Sequence, residues 1–261
     1  MRMGKTTLIT GASSGIGLEL AKIHAEHGDD LVLVARSKDK LNDLKKKFEK
    51  DFDISVLVIV KDLSVSGSAK EVYDEVGKAK IIIDYLINNA GIGNFGEFVD
   101  TDWNTEKKMI QLNVSTLTEF CKLFLKDMVK RKSGKIMNVA SIAGFQPGPL
   151  MAVYFATKAY VLHFSEAIGN EVAGDGVSVT ALCPGPTESG FEKSAEMGKS
   201  ELFKGKKLPS SKDVAQYGYD AMMKGKAVAV HGFMNRLLIN LSRFASRSLV
   251  VKMARRSVEK S

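Results

Sequence analysis

The 261-residue sequence predicts an α/β fold: a doubly wound parallel sheet of about seven strands, Rossmann-like, with helices on both faces. Three observations predict it. Short β-branched runs alternate with longer helical segments. Most of these runs are almost continuously apolar, as strands covered on both faces require. No Pro/Ser-rich linker, internal repeat or low-complexity stretch divides the chain, so residues 1–261 read as one domain with a large core.

The strands are expected at Thr6–Thr10, Leu31–Ala35, Ile54–Val60, Tyr85–Asn88, Lys135–Ala140, Val177–Cys183 and Ala227–Val230. Helical patterns occupy about 15–28, 37–51, 67–79, 103–131, 151–173 and 211–224. Ligands of such sheets bind beyond the carboxyl ends of the strands, so the residues there carry the functional information.

The first strand runs into Thr10-Gly-Ala-Ser-Ser-Gly-Ile-Gly17. Gly11, Gly15 and Gly17 permit a tight turn, and the helix behind it offers free N–H groups and a positive dipole end to a diphosphate. A nucleoside-triphosphate loop at Gly4-Lys5-Thr6 fails, because it needs a glycine five residues before Gly4. The second strand ends in Ala35-Arg36-Ser37. An acid there would hold the ribose hydroxyls of NAD, whereas Arg36 suits the 2′-phosphate of NADP, with Lys38 close by. Asp62 follows the third strand and fits either an adenine amine or an N-cap. Asn88-Asn89-Ala90-Gly91 ends the fourth, where small residues admit a cofactor and the amides can bridge strands. Asn113 sits inside the predicted helix 103–131, where an Asn is mildly unfavourable and needs a reason. Ser141 ends the fifth strand, and a rigid Pro184-Gly185-Pro186 turn ends the sixth.

Tyr154 and Lys158 stand four residues apart, on one face of a helix, and Ser141 lies thirteen residues upstream. A phenol beside an ammonium is expected to have its pKa lowered from about 10, which prepares it for proton transfer to or from an alcohol oxygen.

These pieces in this order resemble the short-chain dehydrogenase/reductase family, over residues 6 to about 190. The matching segments are TGASSGIG at 10–17, Asp62, NNAG at 88–91, Asn113, Ser141, YFATK at 154–158 and PGPTES at 184–189. The resemblance implies an NADP-dependent oxidoreductase acting on a carbonyl or secondary alcohol. It makes Tyr154 the general acid/base and Lys158 its pKa-lowering partner and ribose ligand. Ser141 would bind the substrate oxygen, and Asn113 would hold a water leading to Lys158. Gly11, Ser13, Ile16 and Gly17 would line the diphosphate, Asp62 and Asn89 the adenosine half, and Thr187 the nicotinamide side. Ser14, Gly15, Arg36, Leu63, Ala90, Gly91, Pro184, Gly185 and Ser189 complete the expected cofactor contacts; Ser189 stands where the family usually has Thr, and both carry a hydroxyl. The resemblance also implies a homodimer or homotetramer paired through helices 103–131 and 151–173.

Substrate choice is expected in Ala143–Val153 and in 190–212, which reads as a lid carrying Phe191, Met197, Leu202 and Phe203. These apolar residues fit a hydrophobic substrate and ordinary loop packing equally well. Net charge is +8, but residues 231–261 hold seven Lys/Arg against one acid, so a basic tail replaces any general nucleic-acid surface. Met234, Leu237, Leu238, Leu241 and Phe244 recur there at helical spacing, which suits docking on protein or lying on a membrane. The apolar runs are too short to cross a bilayer and the N-terminus reads as leaderless. Cys121 and Cys183 read as free thiols of a reducing cytoplasm, and the four scattered histidines suggest no metal. The alternative function is a non-catalytic NADP sensor on the same fold; the set Asn113, Ser141, Tyr154 and Lys158 favours the enzyme.

Overall fold

Most of the apolar runs become strands buried on both faces. In the computed structural model, which describes residues 4–191 and 208–259, they form one sheet. Its strands are β1 (Thr6–Thr10), β2 (Asp30–Ala35), β3 (Val56–Val60), β4 (Tyr85–Asn88), β5 (Gly134–Val139), β6 (Val177–Cys183) and β7 (Val228–Val230). The spatial order is β3-β2-β1-β4-β5-β6-β7, and every neighbouring pair is parallel. The order reverses between β1 and β4, which opens a crevice at their carboxyl ends.

The helices are α1 (Gly15–Glu26), α2 (Lys38–Phe52), α3 (Ser68–Lys78), α4 (Trp103–Ile110), α5 (Leu117–Lys130), α6 (Ala152–Glu171), α7 (Ser211–Met223), α8 (Phe233–Ser242) and α9 (Arg247–Val258). One core lies under α1, α2 and α7, where Leu20, Leu41, Phe48 and Met222 meet Leu31, Leu33 and Ile87 of the sheet. The other lies under α3, α5 and α6, where Val72, Phe120, Phe124 and Val161 meet Leu8, Val34 and Ile136. Burying a side chain of this size stabilises by about 1.5–3 kcal/mol, and truncating Phe48 to Ala costs about 3–5 kcal/mol.

The predicted helix 103–131 is not continuous. A π-helical turn, Gln111–Thr116, separates α4 from α5 and contains Asn113. Asn113 is buried, so its amide must find partners, and a widened turn is a common way to aim such a group inward. The Asn pair at the end of β4 bridges strands as expected. Asn88 Nδ2 donates to Asn138 Oδ1 of β5 at 2.9 Å, and Asn89 Nδ2 donates to the Thr10 carbonyl of β1 at 3.0 Å. Asn138 Nδ2 passes the chain to Ser165 Oγ at 2.9 Å, which ties α6 to the sheet.

The basic tail divides. α9 docks, with Ala254 and Val258 buried, while none of the ten residues of α8 is buried. Of the expected lid, 192–207 lies outside the described residues.

Candidate active site

The crevice at the strand ends is a cleft of ≈ 560 Å³. One end is built by the β1–α1 turn. Gly11 has φ 67° and sits against Asn89 and Ala90, where a Cβ would not fit. Ser14 is the N-cap of α1 but makes no side-chain cap bond, and Ser14, Gly15 and Ile16 face the cleft. An anion seated there would meet free helix N–H groups. Gly17 does not line the cleft. It is buried, and a Cβ there would strike Asn89 Nδ2 and the Gly11 carbonyl, so its glycine serves close packing of turn and helix.

Arg36, Ser37, Asp62, Ser64 and Lys108 line the same end. Asp62 is not a helix N-cap. Its Oδ1 accepts from Ser64 N–H at 2.9 Å and Ser64 Oγ–H at 2.8 Å. Those bonds hold its carboxyl below the ordinary value, with Arg36 and Lys108 adding to the effect. Two lysines stand at this end with Arg36: Lys108, from α4, and Lys61, whose Nζ is already paired with Glu71 Oε2 at 2.6 Å; Lys38 does not line the cleft. Leu63, Asn89, Ala90 and Gly91 form the floor.

At the other end α6 brings Tyr154 and Lys158 beside Ser141. Lys158 is buried; its Nζ donates to the Val139 carbonyl at 2.7 Å and stands 5.8 Å from the Tyr154 ring centroid. Burial pulls its pKa from 10.5 to about 8, against a raising pull from Cys183. The sequence reading expects Tyr154 to be acidified, and the structure reverses the direction. Burial pushes its phenol up to about 12, and a hydrogen bond with Ser141 only partly opposes this. The protein by itself thus keeps Tyr154 protonated near neutral pH. Cys183, beside Lys158, is likewise pushed up to about 12 by burial and is no nucleophile.

Asn113 does not reach the cleft wall with its side chain. Its amide binds both backbone groups of Ile92 and Thr157 Oγ1 of α6. Pro184, Gly185, Thr187 and Ser189 line the cleft beyond β6, and Thr187 Oγ1 donates to the Gly185 carbonyl at 2.9 Å.

Beside the Tyr154 ring the wall is apolar. Ala143, Met151, Phe155 and Val258 are buried together, with Phe95, Leu150, Tyr154 and Phe191 packed on them. The Phe191 and Tyr154 rings lie 5.2 Å apart. Leu150 has φ 68°, a left-handed conformation costing about 1–2 kcal/mol, and Gly96 N–H holds its carbonyl at 2.9 Å. Ser257 and Val258 close this end from α9. Sequence reasoning missed them, as it missed Lys108, because both reach the cleft from remote elements and carry no motif. Arg255 fastens α9 through Glu97 Oε1 at 2.6 Å.

The family model described as short chain dehydrogenase matches residues 5–199. The chain belongs to the short-chain dehydrogenase family. That places it among oxidoreductases whose fold binds a nicotinamide cofactor. The very-long-chain 3-oxoacyl-CoA reductase of Mus musculus is 35% identical over 190 residues, which cover 70% of this chain and 59% of the relative. The chain thus spans about three fifths of the curated relative it matches. Among solved structures, a short-chain dehydrogenase from Sphingobium yanoikuyae in complex with NADPH is 29% identical with TM-score 0.82, covering 92% of this chain and 94% of that one. The bulky-bulky ketone specific alcohol dehydrogenase of Comamonas testosteroni is 27% identical with TM-score 0.78, covering 92% of both chains.

Proposed function

We propose that the protein is an NADP(H)-dependent reductase that interconverts a carbonyl and a secondary alcohol, with Tyr154 as the proton donor. The substrate class is an apolar, long-chain carbonyl compound, of which a 3-oxoacyl thioester is the leading example. One observation carries this reading. Ser141, Tyr154 and Lys158 converge at the end of the cleft, under the apolar wall of Met151, Phe155, Phe191 and Val258.

The cofactor fits the cleft's chemistry: a glycine turn and open helix N-terminus for the diphosphate, and Arg36 with Lys108 for a 2′-phosphate. Bound there, the nicotinamide supplies the hydride. The protein does the rest. Ser141 Oγ–H donates to the substrate oxygen and stabilises its growing charge, an effect of about 2.7–4 kcal/mol for one well-placed donor. Tyr154 hands over the proton that its raised pKa has kept in place. Lys158 supplies positive charge beside it, and the apolar wall keeps water away.

The relatives named as 3-oxoacyl-CoA reductase and as bulky-ketone dehydrogenase support a large apolar substrate. Pairing of two copies through α5 and α6 belongs to the same reading, supported by exposed Tyr160, stacked on Phe164 and bonded to Thr118 Oγ1 at 3.0 Å. The test is NADPH consumption with 3-oxoacyl thioesters of increasing chain length, alongside a polar sugar ketone. Turnover that rises with chain length is the expected result. Tight NADPH binding with no turnover across the panel would favour a non-catalytic NADP sensor instead.

A further inference from the structure

We propose that α8 is a membrane-surface helix that seats the protein on an anionic bilayer. Phe233, Met234, Leu237, Leu238 and Leu241 follow the spacing i, i+1, i+4, i+5, i+8 and share one side of the helix. They are 73%, 60%, 39%, 53% and 55% exposed, and Phe244, just beyond, is 90% exposed. Large apolar side chains gathered in this way mark a surface made to be covered. The inner side of α8 is already taken. Asn235 packs so closely on the Pro184–Pro186 turn that a Cβ at Gly185 would come 2.6 Å from Asn235 Nδ2. The apolar side therefore points away from the protein.

Charge decides what covers it. Arg236 and the C-cap Arg243 lie along one edge of the stripe, Arg247 follows it, and no acidic residue occurs between Asp220 and Glu259. A second copy meeting the same face about a two-fold axis would set these arginines against each other with no acid between them. An anionic lipid surface accepts both the apolar side chains and the arginines. Ten residues of α8 lie flat in the interface; no helix among the described residues is long and apolar enough to cross a membrane. α9, four residues farther on, carries Ser257 and Val258 into the cleft, so the seated protein holds its apolar cleft end near the bilayer. Only that last consequence, delivery of a lipid-like substrate, rests on the reductase reading.

Co-sedimentation of the full chain with phosphatidylcholine vesicles, with and without phosphatidylserine, tests the seating. Binding to phosphatidylserine vesicles is expected to be at least about tenfold tighter and to fall with added salt. Leu238→Glu with Leu241→Glu should remove it by a further factor of about ten or more. Both sites are exposed, and unchanged NADPH binding confirms that the variant folds. Wild-type protein that stays in the supernatant with both vesicles overturns the proposal. So does a wild-type oligomer, seen by light scattering, that the double substitution takes apart while vesicle binding is absent; the partner is then a second copy. Reduction of a water-soluble ketone in vesicle-free buffer reports on the enzyme reading separately.

Discussion

Asn113 clasps the backbone of one residue from both sides: its Oδ1 accepts the Ile92 N–H at 3.0 Å and its Nδ2 donates to the Ile92 carbonyl at 2.9 Å. The same Nδ2 lies 3.1 Å from Thr157 Oγ1, whose hydroxyl donates to the Tyr154 carbonyl at 2.7 Å. The loop after β4 is thereby coupled to the turn of α6 that carries Tyr154.

Asn113→Leu keeps the size and removes the clasp. It leaves two backbone groups of Ile92 without their partner, each worth about 1–3 kcal/mol when buried. A loss of about 3 kcal/mol in urea unfolding is expected, together with slower turnover. A change under about 0.5 kcal/mol would mean the amide does not fix the loop.

Lys158 is expected to trade stability for function. Its pKa in the folded protein, about 8, lies below the ordinary 10.5, chiefly because burial disfavours the charge. The unfolded chain therefore binds the proton more tightly. The penalty on folding is full below pH 8 and is relieved as pH rises from about 8 to 10.5. Lys158→Met removes a penalty of about 3 kcal/mol and gives up a hydrogen bond of about 1 kcal/mol. The variant should be about 2 kcal/mol more stable at neutral pH, with an advantage that shrinks towards pH 10, and should turn over poorly. Thermal unfolding across pH measures this; a destabilised variant at neutral pH contradicts it.

Arg36→Ala tests the choice of cofactor. Charge-assisted hydrogen bonds of a guanidinium to phosphate are worth about 1.5–3 kcal/mol. NADPH binding should weaken roughly tenfold to a hundredfold, with NADH binding nearly unchanged. Equal weakening of both by titration calorimetry would remove Arg36 from 2′-phosphate recognition.

The sheet was legible in the sequence because strands covered on both faces must be apolar along their length, as Leu31–Ala35 and Val177–Cys183 are. The strand ends were legible because a glycine turn, an Asn pair and a Tyr-x-x-x-Lys spacing are local signals. What escaped depends on partners distant in the chain. The break at Gln111–Thr116 arises because Asn113 bonds Ile92 and Thr157, neither adjacent to it in sequence. The direction of the Tyr154 pKa depends on how deeply the hydroxyl is buried, and helical spacing alone gives only the nearby charge. Gly17 looked like a ligand contact, yet its space is set by Asn89 across the crevice. The apolar spacing of the tail is visible in the sequence, but only the packing of Val258 against Met151 and Phe155 separates the docked α9 from the uncovered α8.

In the proposed reaction the Tyr154 hydroxyl delivers the proton. Tyr154→Phe removes that oxygen and leaves the ring to pack against Phe191. Measured side by side, NADPH affinity should stay within about twofold while single-turnover carbonyl reduction falls roughly 10²–10⁴-fold. Reduction by the variant at the wild-type rate would mean that another group supplies the proton.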